Sequence, residues 1–264
     1  MGAADVIKKI KKIDCRGVSE KISSSLRAHM LGNGRKTAVI GISGGTDSAV
    51  TAALCSTALG RENVLGIILP SPATAKSDIR DAEAVISKLG IRGITINLSD
   101  ALKEIEGRIE KHGKMTRVEK GNLMARLRMM ALYSFAHSEE GIVVGTGDKS
   151  ELRLGYFTKY GDGGCDILPI GGLYKTQVRE IARYLGLPKN VVEKPSSPGF
   201  WPGHVAEEEI GAAYEQIDTV LWCIENGWKR SKIEKIAGKS IVKLVLSAMK
   251  KSAHKRKMPG VIKV

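Results

Sequence analysis

Cysteine is scarce and scattered. Cys15, Cys55, Cys165 and Cys223 form no C-x-x-C pair, which excludes a sequence-readable zinc site and a disulfide framework. Three of them read as small buried hydrophobes; Cys165 lies in a glycine-rich stretch that by itself implies no thiol chemistry. Long apolar runs are lacking too: none approaches the roughly 18–20 residues that cross a bilayer, so no membrane span is expected. The N-terminus shows no signal-peptide core. A myristoylation pattern begun by Gly2 fails at Val6, where Ser or Thr is required. A cytoplasmic protein is therefore expected. Aromatic residues make up only 5% of the chain, leaving few platforms on which single-stranded nucleic acid could stack.

Hydrophobic residues make up 42% of the 264, enough for the core of one large α/β domain. The net charge of +14 is unevenly spread. Residues 1–40 hold nine basic and three acidic residues, residues 229–264 hold twelve and one, and the stretch between is slightly acidic. Basic flanks on a nearly neutral body fit attraction of nucleic acid or of a small polyanion.

Apolar spacing over 4–31 (Val6, Ile10, Val18, Ile22, Leu26, Met30) predicts a helix, stopped by Gly32-Asn33-Gly34. Strands are expected over 37–42, 64–69, 93–97 and 142–145, with helices at 47–59, 74–89, 100–111 and 117–137 between them. Such alternation signals a mostly parallel sheet covered on both faces. Ligands then bind beyond the carboxyl ends of the strands, which points to the turns after Ile42, Leu69 and Val144. After 150 the texture changes: six glycines in 155–172, a helix over 174–185, a proline-rich loop over 188–203, then helix over 206–251.

The strongest local signal is Gly41-Ile42-Ser43-Gly44-Gly45-Thr46-Asp47-Ser48, placed between a buried strand and a helix. Adjacent glycines let backbone N–H groups converge, the helix N-terminus adds positive potential, and Ser43, Thr46 and Ser48 offer hydroxyls. This suits a phosphate, yet it is neither a Walker A loop nor a Rossmann G-x-G-x-x-G. Asp47 would repel phosphates unless a cation intervened, so a nucleotide here implies Mg2+. Ser and Asp as plain helix caps are the alternative, but capping accounts for one polar residue rather than the whole Ser-Gly-Gly-x-Asp-Ser.

Three further segments carry candidate chemistry. Asn122 and Arg126 share one face of the 117–137 helix, where a merely solvated arginine is the alternative. In Val143-Val144-Gly145-Thr146-Gly147-Asp148-Lys149-Ser150-Glu151, Thr146 could meet the nucleotide and Glu151 could be a second metal carboxylate; a capped surface turn is the alternative. Lys175 opens a helix, where the dipole disfavours a cation, which argues for a phosphate partner against a snorkelling surface lysine.

The 41–48 octet resembles the loop of the PP-loop ATP pyrophosphatases, which cleave ATP between the α- and β-phosphates to adenylate a carbonyl oxygen. Taken with Gly155–Ile167, Pro169–Thr176, Lys194–Gly203, Glu207–Gly211, Tyr214 and the His254-Lys255-Arg256 tail, the chain resembles the NAD synthetase family, ammonia-dependent type. It departs from the family pattern at Asp148 and Gly172, where Asn and Asp are expected, and at Ser196 and Pro198.

The resemblance implies a doubly wound, mostly parallel five-stranded sheet of the adenine nucleotide alpha hydrolase, Rossmann-like kind, with a helical C-terminal extension. It implies one domain over 1–264 without a glutaminase domain, and ammonia as the nitrogen source. Gly41, Ile42, Ser43, Gly44, Gly45, Thr46, Asp47, Ser48, Thr146, Lys175 and Ser197 would bind ATP, with Asp47 and Glu151 on Mg2+ and Asp47 and Lys175 catalytic. Arg126, Lys159, Asp166, His254 and Lys255 would hold deamido-NAD+, giving the basic tail a purpose without nucleic acid. A homodimer with active sites at the interface is implied as well. Against this stand a tRNA-modifying PP-loop enzyme, favoured by the charge, and a nucleotide-binding regulatory module.

Overall fold

A computed structural model describes residues 1–262. The N-terminal run expected as one helix is two, α1 (Ala3–Lys11) and α2 (Cys15–Gly32). The break falls at residues 12–14 because the Asp14 carboxylate accepts the Gly17 amide at 3.0 Å and starts a new helix as its N-cap. Next come β1 (Ala38–Gly41), α3 (Thr46–Leu59), β2 (Val64–Ile68), α4 (Lys76–Leu89), β3 (Arg92–Thr95) and α5 (Ser99–Glu110). They are followed by α6 (Arg117–Ser138), β4 (Ile142–Val143) and α7 (Lys149–Leu154). A Thr116–Glu119 capping box starts α6 where the sequence places its first turn.

The strands lie in the order β3-β2-β1-β4, all parallel, with Ala38 opposite Val64 on one side and Ile142 on the other. Four strands are formed among the described residues, not the five expected. The fifth position is reduced to a parallel bridge between Val144 and Ile167. Pairing stops there because Pro169 has no N–H to continue the ladder and the preceding glycines favour turns.

Side chains alternate across β1 and β2 as a two-faced sheet requires. Ala38, Ile40, Val64 and Ile68 face a core built with Leu26, Met30, Val50 and Leu54 of α2 and α3. Val39, Leu65 and Ile67 face the opposite way with Val143 and Ala136, under Leu132 of α6. Each fully buried aliphatic side chain contributes about 1.5–3 kcal/mol, so both faces hold the sheet firmly. The chain moves from β1 outward to β2 and β3, then returns to β4 on the other side of β1. That reversal puts the switch point, and the crevice beyond it, at the carboxyl ends of β1 and β4.

Helices α8 (Lys175–Tyr184) and α9 (Lys189–Val192) complete the core on the α3 side. The stretch expected as helical over 206–251 comprises four helices, α10 (Ala206–Ile210), α11 (Tyr214–Glu225), α12 (Arg230–Ala237) and α13 (Lys239–Lys251). The breaks coincide with Gly211, Gly227 and Gly238, all at positive φ. A second core joins α1 to this extension through Val6, Ile10, Tyr214, Ile217, Leu221 and Val245. No helix among the described residues is long and apolar enough to cross a membrane. Of the three cysteines expected to be buried, Cys55 and Cys223 are and Cys15 is half-buried.

Candidate active site

Beyond β1 the chain turns sharply at Gly44, whose φ is +78°. A Cβ there would lie 2.2 Å from the Asp78 carbonyl oxygen, so the loop needs glycine both for its dihedral and for its approach to α4. Ser43 and Ser48 lock the turn from inside. The Ser48 hydroxyl donates to the Gly45 carbonyl at 3.0 Å and accepts the Ser43 amide at 3.2 Å, while the Gly45 amide donates to the Ser43 hydroxyl at 3.2 Å. Helix α3 has Gly45 as N-cap and no side-chain cap, so plain capping does not account for this loop. The Thr46, Asp47 and Ser48 amides have no acceptor among the described residues, and an anion at the helix N-terminus would satisfy them. One expectation is corrected. The Thr46 hydroxyl does not offer its proton beside the serines; it donates to the Val191 carbonyl at 2.8 Å and ties the loop to α9.

Opposite the loop, at the end of β4, the sequence folds into a capping box. The Asp148 carboxylate accepts the Glu151 amide at 2.9 Å and Glu151 accepts the Asp148 amide at 3.2 Å. The same two side chains turn their other oxygens to Lys175. Its Nζ lies 2.7 Å from Asp47, 2.9 Å from Asp148 and 2.7 Å from Glu151. Lys175 is 1% exposed, which removes the reading of a surface lysine. Burial works against its charge, but Asp148, Asp47 and Glu151 outweigh that and hold the ammonium well above its ordinary pKa. Burial raises the Asp148 and Glu151 carboxyls, the added charge of Asp47 raising both and Asp148 raising Glu151 further.

Three carboxylates around one ammonium leave surplus negative charge. Asp47 Oδ1 is buried with no hydrogen-bond partner among the described residues, and so is Asp148 Oδ2 apart from its ion pair with Lys175. This donor set fits a hard divalent cation. No ready-made cage of three or more ligating side chains exists among the described residues, because Lys175 occupies the point where the carboxylates meet. A cation here would take one or two carboxylates and complete its shell from phosphates, the usual habit of Mg2+.

Lys175 is itself held from a distance. Asp218 of α11, fully buried, accepts the Ser150 hydroxyl at 2.5 Å, the Thr176 amide at 3.0 Å and the Thr176 hydroxyl at 2.8 Å. The Lys175 amide donates to the Ser150 hydroxyl at 3.0 Å. This one carboxylate, 42 residues downstream of Thr176, serves the first turn of α8 and sets the lysine's backbone.

The residues expected to hold the second substrate form a chain along the 155–159 loop. The Arg126 guanidinium donates to the Lys159 carbonyl at 3.3 Å, and Lys159 Nζ to the His254 carbonyl at 3.1 Å. Lys255 Nζ donates to the Gly155 and Phe157 carbonyls at 2.8 and 2.7 Å. Arg126, Lys159, His254 and Lys255 therefore meet at one basic surface. Among the described residues, no hydrogen bond or ion pair joins Asp166 to them. Its carboxylate accepts the Val143 amide at 2.7 Å and the Tyr133 hydroxyl at 3.0 Å, closing the edge of β4. Thr146 lies half-buried just past β4. Ser197 is exposed, its hydroxyl accepting the Gly199 amide at 3.1 Å.

A family model for NAD synthase matches residues 18–259, from α2 through the basic tail. The chain belongs to the NAD synthase family. It is 43% identical over 265 residues to the NH(3)-dependent NAD(+) synthetase of Saccharolobus solfataricus, covering 98% of this chain and 94% of that protein. The protein of the same name from Archaeoglobus fulgidus is 42% identical over 248 residues, with 94% and 96% covered. Among solved structures, the NMN synthetase of Francisella tularensis superposes with a TM-score of 0.85 at 34% identity, covering 96% of this chain and 100% of that one. The NH3-dependent NAD synthetase of Campylobacter jejuni gives 0.81 at 31% identity, with 95% and 100% covered.

Two functional carboxylates are not marked in the sequence: Asp148, visible only as a departure from the family pattern, and Asp218, which no local pattern marks. Arg128 is unmarked as well. Its guanidinium donates to the Leu69 carbonyl at 3.1 Å, pinning α6 to the end of β2, and burial lowers its pKa. The available signal was spacing: Arg128 follows Met124 by four residues and so shares its inward face of α6.

Proposed function

We propose that this chain catalyses the ATP-dependent amidation of deamido-NAD+ to NAD+ with ammonia, releasing AMP and diphosphate. The observation that carries this reading is the buried Lys175, held among Asp47, Asp148 and Glu151 beside the unpaired helix amides of the 41–48 loop, at the crevice between β1 and β4.

The nicotinate carboxylate is a poor electrophile because ammonia cannot expel oxide. Its oxygen attacks the α-phosphorus of ATP, the bond to the bridging oxygen breaks, and diphosphate departs with that electron pair. Ammonia then attacks the acyl carbon, the carbon–oxygen bond to AMP breaks, and a proton is lost as the amide forms. The loop amides at residues 46–48 hold the phosphates, Lys175 contributes fixed positive charge near them, and Thr146 and Ser197 lie on the nucleotide path. Mg2+ held by Asp47 and Glu151 would supply neutralisation of the phosphate charge when bound. Arg126, Lys159, His254 and Lys255 bind the dinucleotide's diphosphate and carboxylate, and Asp166 keeps their loop against β4. Catalysis is positioning and charge stabilisation, with no side-chain nucleophile.

This reading takes residues 1–264 as one domain acting in the cytoplasm on free ammonia. It also takes the enzyme as a homodimer. Support comes from the outer face of α6, where Met129, Met130, Tyr133 and His137 line a shallow apolar depression and Met130 is 58% exposed. The tRNA-modifying alternative is not favoured, because the relatives over nearly the whole chain are NAD synthetases.

The test is purified protein with ATP, Mg2+, ammonium and deamido-NAD+, followed for NAD+ and AMP. ADP in place of AMP defeats the adenylation chemistry. A parallel arm with nicotinate mononucleotide checks the acceptor suggested by the name of the Francisella protein; faster turnover there would displace the dinucleotide as substrate.

A further inference from the structure

Lys194 lies outside every role assigned so far, yet it ties the phosphate loop to α4. Its Nζ donates to the Gly44 carbonyl at 3.3 Å and to Asp78 of α4 at 2.8 Å, and it is ion-paired with Asp81. Asn190 of α9 donates to the other oxygen of Asp81 at 2.6 Å. Gly44 is the residue that packs against the Asp78 backbone, so the lysine bridges the same seam that the glycine closes. Asp78 and Asp81 suit the N-terminal turns of α4, but two carboxylates beside a polyphosphate loop are repulsive unless neutralised. Lys194 offsets one of those two charges from the segment that carries Ser197. Burial opposes the Lys194 charge, and its hydrogen bonds to Asp78 and Asp81 more than restore it.

We propose that Lys194 is a positioning residue for ATP: it fixes the Gly44–Gly45 peptide against α4 and halves the negative charge of the Asp78–Asp81 pair, so that the 41–48 loop presents its amides to the phosphates. The proposal rests on the reading of that loop as the ATP site.

Calorimetric titration with Mg-ATP, and separately with deamido-NAD+, tests it on wild type, Lys194→Met, Lys194→Arg and Lys194→Met combined with Asp78→Asn and Asp81→Asn. Lys194→Met should weaken ATP on the order of tenfold, the loss of one charge-assisted hydrogen bond, while deamido-NAD+ binding stays unchanged. Lys194→Arg should regain most of the affinity, and the combined variant part of it. Unchanged ATP affinity in Lys194→Met overturns the proposal, as does equal weakening of both ligands, the mark of a merely structural role. No recovery in the combined variant overturns the charge argument. Lys194→Gln, which keeps a donor for the Gly44 carbonyl but no charge, replaces the Met variant if that one does not fold. Wild type that binds no ATP overturns the reading of the loop itself, and the proposal with it.

Discussion

Replacing Lys175 with methionine keeps the bulk of the side chain and removes the one positive charge among Asp47, Asp148 and Glu151, which lie 2.7–2.9 Å from its Nζ. Breaking a buried pair by removing one partner costs about 3–5 kcal/mol, because the other charge is left uncompensated. For a chain of this size that corresponds to a fall in Tm on the order of 10 °C near neutral pH. The carboxyl pKa values of Asp148 and Glu151 already lie above their ordinary range, and losing the ammonium pushes them higher. A carboxyl with a raised folded pKa binds its proton more tightly folded than unfolded. The unfolded-state values cancel between the two proteins, so the gap is constant below the wild-type folded value of Asp148, about 6, and widens as pH rises from there toward the variant's higher one. If the folded variant holds one proton more than wild type, the stability gap narrows by about 1.4 kcal/mol for each pH unit of acidification. Urea denaturation of both proteins between pH 5 and 8 measures the gap, and NAD+ formation should fall roughly 100-fold or more. A gap that does not change with pH, or a variant as active as wild type, refutes the reasoning.

Asp47→Ala should abolish NAD+ formation while shifting Tm by only a few degrees, because the side chain sits at the crevice mouth and Lys175 keeps two carboxylate partners; calorimetry beside the activity assay checks both. Gly44→Ala forces a non-glycine residue to φ +78° and a Cβ to 2.2 Å from the Asp78 carbonyl oxygen. It should cost about 1–3 kcal/mol in urea denaturation and weaken ATP more than deamido-NAD+. Lys159→Ala removes the contact to the His254 carbonyl at 3.1 Å and should raise the KM for deamido-NAD+ well above any change for ATP; equal effects would count against its placement. Met130→Glu puts a charge on the exposed face of α6 and should convert the dimer to monomers by light scattering; an unchanged mass refutes that face as the dimer interface.

Most of what depends on neighbours in sequence was legible; the side-chain bonds between distant segments were not. The strand–turn–helix at 38–59 carries its own instructions: a buried β1, two adjacent glycines and a helix of small residues. The capping box at Asp148–Glu151 is equally local, though a cap and a functional carboxylate look alike in sequence and only the fold shows the pair doing both. Asp14 breaks the first helix through a bond to Gly17, a signal the apolar spacing overrode. The Thr46 hydroxyl is captured by Val191, 145 residues away, and the first turn of α8 by Asp218. No periodicity can announce either bond. The missing fifth strand follows the same logic, since Ile167 reaches the sheet edge as a single bridge between glycine turns and Pro169.

The two carboxylates that most define the site illustrate why such pairings matter for chemistry and not only for folding. Asp148 spends one oxygen on the Glu151 amide and the other on Lys175, so the cap that starts α7 also sets the charge balance of the crevice. Asp218 never approaches the crevice, yet through Ser150 and Thr176 it joins α7 to α8 and so determines where Lys175 begins its helix. The cost of placing a lysine at a helix N-terminus, where the dipole is unfavourable, is offset by three carboxylates at one end and by this remote cap at the other. A shift of α11 would thus reach the reacting phosphates through two hydroxyls and one ammonium. Asp218→Asn should lower kcat before it changes either KM, because it disturbs the placement of Lys175 without touching a substrate. A rise in KM for ATP with kcat unchanged would instead make Asp218 part of the binding surface.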